Sequence, residues 1–110
     1  MSTIYAILNV TIRDRARFGE YIHGHLPSVA LHGGRILFRS NDNEAVEGTW
    51  QPRLLVIQEW PTEKAFQAWY GSDEYRPWKE MRHTACDIDF VLMRGMNQEQ
   101  RASPPSASHA

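Results

Sequence analysis

The chain has 110 residues, 42% hydrophobic and 23% charged, with 12 Lys and Arg against 13 Asp and Glu for a formal net charge of −1. That length suits one domain able to bury roughly two thirds of its unfolded surface, and the composition is that of an ordinary globular protein. The charge balance argues against nucleic acid as the main partner, because phosphate binding needs a basic excess, and no apolar run reaches the length of a membrane span.

Cys86 is the single cysteine. No intramolecular disulfide can form, so a reducing cytoplasm is the expected compartment, and the thiol reads more readily as a small buried group than as a nucleophile. The start, MSTIYAILNVTIRD, lacks a basic n-region and reads as a strand rather than a signal peptide.

In that first strand Ile4, Ala6, Leu8, Val10 and Ile12 share one face, and Tyr5, Ile7, Asn9 and Thr11 share the other. Asp14 stands where a helix N-cap belongs, and Phe18, Tyr21, Ile22, Leu26 and Val29 recur at helical spacing. Pro27 is expected to kink or restart this helix, and Gly33-Gly34 to end it through a left-handed glycine. RILFRS, from Arg35 to Ser40, is a second strand, and Asn41 to Pro52 is a polar loop. Leu54 to Trp60 is apolar on both faces until Gln58 and Glu59, as a central strand is. Pro61 stops it and Thr62 caps a helix carrying Ala65, Phe66, Trp69 and Tyr70. Ser72, followed by Asp73 and Glu74, favours a further helix start, which Pro77 is expected to split. The last strand sets Ile88, Phe90 and Leu92 against Asp87, Asp89, Val91 and Met93.

The order is β-α-β-β-α-β, a ferredoxin-like α+β fold with helices on one face of an antiparallel sheet. Tyr5, Ile7, Leu37, Leu55, Ile57, Val91 and Met93 then make an open apolar face. A patch of that extent marks an interface, so a homodimer paired through this face is expected. Residues 1–95 make the domain, and 96–110 form a polar, Pro/Ser-rich tail that buries too little to order itself.

The run Glu47-Gly48-x-Trp50-x-Pro52-Arg53, a strand closing on Glu59-Trp60-Pro61, and Ala68-Trp69-Tyr70-x-Ser72-x-Glu74-Tyr75 with Arg82 resembles the bacterial domain-of-unknown-function family thirteen-thirty. Asp14, Tyr21, Gly33-Gly34-Arg35 and Gly95 extend the likeness over about residues 4 to 95. Gln58, where that family tends to be aliphatic, and Asp73, in place of a usual proline, depart from it. The resemblance implies a dimeric α+β barrel with a pocket, and no reaction, because the family has no general activity.

Candidate chemistry centres on Asn9, Arg39, Glu59, Tyr70, Tyr75 and Arg82. Glu59 shares the open face with Leu55 and Ile57. It is either a general base with a raised pKa or, as the more frequent arrangement, the ion-pair partner of Arg39 or Arg82. Arg82 can grip a substrate carboxylate or pair with Glu74 or Glu80. Tyr70 and Tyr75 carry polar tips suited to a pocket wall, whereas Phe66 and Trp69 read as core. Asn9 is a polar group on the open face, satisfied across a dimer or facing a ligand.

His23 and His25 point about 200° apart on a helix and cannot share a metal, so no metal and no cofactor is expected. A haem site would need an Asn, a His and a Trp facing one cavity; Asn9, Trp69 and His25 or His83 supply the types without a motif. The leading expectation is a dimer binding a small aromatic or carboxylated metabolite between sheet and helices. The alternatives are a cofactor-independent monooxygenase or isomerase, and a structural dimer without a ligand.

Overall fold

The computed structural model describes residues 2–96. Most of the tail expected beyond residue 95 therefore lies outside the described residues. Seven elements follow in order: β1 (Ile4–Ile12), α1 (Arg15–Leu31), β2 (Arg35–Ser40), β3 (Leu54–Trp60), α2 (Glu63–Tyr70), α3 (Arg76–Ala85) and β4 (Cys86–Arg94). The strands form one antiparallel sheet in the order β2-β3-β1-β4. Each strand–helix–strand unit is thus split by a strand from the other, the ferredoxin-like arrangement that the alternating pattern predicts.

Local chemistry sets the boundaries. Asp14 caps α1 by accepting a hydrogen bond from the Arg17 N–H at 3.1 Å, and Thr62 caps α2 by accepting from Ala65 at 3.0 Å. The end of α1 is a Schellman motif. Gly33 stands at φ 85°, its N–H bonds Ala30 O, and the Gly34 N–H bonds Val29 O, each at 3.0 Å. Two expectations are corrected. The helix α1 runs through Pro27, because the bond that proline deletes would end on His23, and both residues sit on the exposed side where water can replace it. Pro77 does not split its segment but occupies the first turn of α3, where its missing N–H costs little.

The face of β1 carrying Ile4, Ala6, Leu8 and Val10 is buried beneath the helices. Trp60, Phe66 and Trp69 pack there with ring centroids 5.0–5.7 Å apart, and Tyr75 stacks on Trp69 at 4.0 Å. Both buried indoles find acceptors: Trp60 Nε1 donates to Gln58 Oε1 at 3.0 Å and Trp69 Nε1 to Ser28 Oγ at 2.9 Å. Helix α1 lies against α3 so closely that a Cβ on Gly24 would fall 2.2 Å from the Trp78 indole. Only glycine permits that approach. Among the described residues no helix is long and apolar enough to cross a membrane.

Candidate functional site

Leaning on α3, α1 leaves a gap over the β2 side of the sheet. The gap is a cavity of about 440 Å³ floored by Leu8, Val10, Val56 and Ile88 and walled by Phe18, Ile22 and Leu26 of α1. Its polar lining consists of Tyr21, His25, Gln58, Arg82 and, from β2, Arg39.

Arg39 reaches this lining because β2 carries an irregularity. Ile36 stands opposite Gln58 and Phe38 opposite Ile57, so Leu37 is an extra residue in the ladder. A bulge of this kind reverses the facing of the residues beyond it. Arg39 then pairs with Val56, whose side chain is on the buried face. Leu37, expected on the open face, lines the cavity instead.

Arg82 is the decisive group. It is 3% exposed and lies in the cavity wall. Its Nη1 donates to the Tyr75 hydroxyl at 3.0 Å and its Nη2 to His83 Nε2 at 3.1 Å. Its Nε is buried with no hydrogen-bond partner among the described residues. No carboxylate among them lies within ion-pair distance of it. A guanidinium stays charged in any protein environment, so the wall holds an uncompensated buried cation with donors to spare.

The hydrogen bonding extends inward. The Tyr75 and Tyr21 hydroxyls are 2.7 Å apart. Burial raises the pKa of both phenols, that of Tyr21 strongly, so they remain neutral donors. The His25 ring stacks on Tyr21 with centroids 4.1 Å apart and planes 7° from parallel. Burial lowers the pKa of His25, outweighing its backbone hydrogen bonds, and the nearby charges of Arg82 and Arg39 lower it further.

Of the six residues singled out in the sequence, Arg39 and Arg82 line the cavity. Tyr75 is fully buried one bond behind the wall. Tyr70 lies apart from the lining, stacked on Phe66 at 5.7 Å with the Lys79 ammonium 4.2 Å above its ring. Asn9 accepts from the Arg53 N–H at 2.8 Å, holding the loop before β3. It stands opposite Leu55 on the open face while Trp69 is in the core beneath the helices, so an Asn–His–Trp cavity does not assemble.

The expected partnership of Glu59 with Arg39 or Arg82 is also corrected. Glu59 stands opposite Tyr5 and Arg35 on the open face, accepting from Arg35 Nε at 2.6 Å and from the Tyr5 hydroxyl at 3.2 Å. The Arg35 bond holds the carboxyl below its usual range, the reverse of a raised general base. Tyr21 and Gln58 are not legible as ligand-site residues in the sequence, and His25 is legible there only as a metal or haem candidate. Tyr21 merges into the helix periodicity, and Gln58 stands out only as a polar side chain in an otherwise apolar central strand, which by itself does not point to a ligand.

The model of the family described as a domain of unknown function (DUF1330) matches residues 3–96. The chain belongs to that family. The family match fits the resemblance carried by the Trp-Tyr-x-Ser-x-Glu-Tyr segment. No curated protein matches the chain. Among solved structures, this DUF1330 chain is similar to RPA0582, a protein of unknown function from Rhodopseudomonas palustris, at 17% identity and TM-score 0.74, covering 86% of this chain and 83% of that one. It is similar to SnoaB, a cofactor-independent oxygenase from Streptomyces nogalater, at 12% identity and TM-score 0.65, covering 89% and 97%. A dimeric ferredoxin-like protein of unknown function from Jannaschia sp. CCS1 gives 9% identity and TM-score 0.63, covering 86% and 100%. At such identities the likeness is one of fold.

Proposed function

We propose that the cavity binds a small, largely apolar molecule through an anionic oxygen, a carboxylate or an enolate, with Arg82 as its counter-charge. One observation carries this reading: a guanidinium that is 3% exposed and faces no carboxylate among the described residues. An unpaired buried charge is strongly destabilising, and a bound anion removes that penalty. The apolar floor suits an aromatic or branched aliphatic body, and a volume of about 440 Å³ falls in the range of small-molecule pockets. Arg39 at the rim adds attraction for the same sign of charge.

The test compares phenylacetate with phenylacetamide in thermal-shift and calorimetric titrations. The carboxylate is expected to raise the melting temperature and the isosteric amide to leave it unchanged. Arg82→Met is expected to weaken phenylacetate binding by about 30-fold or more, in line with roughly 2–5 kcal/mol for losing one member of a buried charge pair, while the protein stays folded. Equal binding of acid and amide would overturn the reading.

We further propose that the protein works as a homodimer paired through the open sheet face. Ile7, Leu55 and Ile57 lie on that face, and Val91 and Met93 are 55% and 48% exposed there; a contiguous apolar surface of this kind is a typical interface. The dimeric Jannaschia relative supports this assembly. The lone buried thiol of Cys86 supports residence in a reducing compartment.

A further inference from the structure

We infer that His25 is a proton acceptor facing this cavity, and that the ligand is a carbonyl compound with an acidic neighbouring C–H, of the 2-oxo acid type. The inference rests on the anion-binding reading above and adds a reaction to it.

His25 Nδ1 lies 2.8 Å from the Tyr21 carbonyl oxygen. A carbonyl only accepts, so Nδ1 carries the hydrogen and Nε2 keeps its lone pair. Nε2 has no hydrogen-bond partner among the described residues, and the residue lines the cavity. Stacking on Tyr21 fixes the ring plane. The charged and titratable groups around it are Tyr21 on its own helix, Tyr75 from the turn before α3, Arg82 of α3 and Arg39 of β2. None is a carboxylate, and burial with the charges of Arg82 and Arg39 outweighs the backbone hydrogen bonds that favour the imidazolium, so the ring is a neutral base at pH 7.

The donor side follows from counting hydrogens. Arg82 can only donate, so the Tyr75 oxygen accepts from it. Tyr75 is fully buried and lies behind the cavity wall, so its own hydrogen must go to the Tyr21 oxygen at 2.7 Å. The Tyr21 hydrogen is then left for whatever occupies the cavity that Tyr21 lines. Arg82 polarises Tyr75 and Tyr75 polarises Tyr21, presenting one strengthened donor beside one free base.

That pairing suits enolisation. The ligand C–H breaks, its proton passes to His25 Nε2, the electron pair forms C=C, and the carbonyl pair moves onto oxygen. The developing oxyanion receives the Tyr21 O–H and the field of Arg82. The imidazolium returns its proton to oxygen or to carbon and regenerates neutral His25. The net change is keto–enol interconversion, without an oxidant or co-reactant.

Phenylpyruvate in D2O is the probe, with deuterium incorporation at the benzylic carbon followed by NMR. The wild-type chain is expected to accelerate incorporation over buffer, with a rate that rises with pH through a midpoint below about 6.5, the ordinary value for histidine. His25→Gln is expected to lose about 100-fold of that rate while phenylpyruvate still raises its melting temperature. Tyr21→Phe is expected to lower the rate without moving the midpoint. Binding of phenylpyruvate without accelerated exchange, or full exchange by His25→Gln, overturns the inference and leaves the anion site standing. Absence of any binding by phenylpyruvate and phenylacetate overturns both. Should His25→Gln fail to fold, the wild-type pH profile decides: a rate that shows no such midpoint rejects His25.

Discussion

The two faces of the sheet each set an arginine against tyrosine hydroxyls, and the two arrangements differ in what completes them. On the open face Arg35 and Tyr5 converge on Glu59; the arginine is exposed and its charge is matched. On the helix face Arg82 meets Tyr75 and, through it, Tyr21, is buried, and has no carboxylate among the described residues. The first arrangement is complete in one subunit and can serve as trim around an interface. The second is electrostatically incomplete, and burial magnifies every unbalanced charge because water cannot screen it. Incompleteness at a buried site is therefore the better pointer to a ligand than an ion pair at the surface, even though the ion pair has the shorter bond.

The largest effect that separates the faces is expected from Ile57→Glu. If the open face is the subunit interface, the substitution buries an unpaired carboxylate there at a cost of about 3–5 kcal/mol per site. Light scattering should show monomers at concentrations where the parent is dimeric. The cavity is on the other side of the sheet, so any monomer that stays folded should still bind phenylacetate. An unchanged dimer would mean that the apolar open face serves something else.

Tyr75→Phe addresses the helix face with a smaller effect. The ring stacking on Trp69 survives, but Arg82 Nη1 loses its acceptor and Tyr21 its donor. Leaving buried groups unsatisfied costs about 1–3 kcal/mol, measurable by denaturant titration. Phenylacetate should restore part of that loss by accepting from the freed Arg82 donor, which no substitution on the open face would permit.

Much of this architecture is written locally. Alternation in β1 and β4, the capping oxygens of Asp14 and Thr62, and the paired glycines after α1 act within a few residues, so the strand and helix order is legible in the sequence. The bulge at Leu37 is not. RILFRS alternates without glycine or proline, and the extra residue is imposed by pairing with β3. One residue of slip moves Arg39 from the open face to the cavity. Arg82 appears in the sequence beside acidic residues of its own and preceding segments, which suggests ordinary pairing, yet Glu80 lies off its face of the helix and Glu74 meets His32 at 3.7 Å instead. Its isolation is a tertiary fact. The same is true of His25, whose role depends on a cavity closed by strands distant in sequence.

A third expected effect is a pH dependence confined to the helix face. The folded-state pKa of His25 is lowered, chiefly by burial. The unfolded chain therefore binds a proton more readily than the folded one below about pH 6.5. The stability that neutral His25 confers is fully present above that value and declines as pH falls toward the lowered folded value. Melting temperature measured between pH 7 and pH 5, above the main carboxylate range, should fall less in His25→Gln than in the parent. Parallel pH profiles for the two proteins would mean that the ring charges without penalty where it sits.

The smallest effect is expected from Glu59→Gln. The carboxyl lies beside exposed Arg35, which holds it below its usual pKa. The amide keeps the shape: its oxygen can accept from Arg35 Nε where Oε1 stands, and its NH2 can donate to the Tyr5 hydroxyl oxygen where Oε2 stands. Solvent screens the lost charge, and pairs of this exposure contribute little to stability. Arg82 is not stranded, because it stands across the sheet and has no contact with Glu59. Phenylacetate affinity and the rate of deuterium incorporation should therefore match the parent, and melting temperature should hardly move at neutral pH. Any dependence on Glu59 should appear in the salt sensitivity of dimer formation, where Arg35 and Glu59 border the open face. A large loss of ligand binding with the dimer intact would contradict the division of labour between the faces and return the carboxylate to the site.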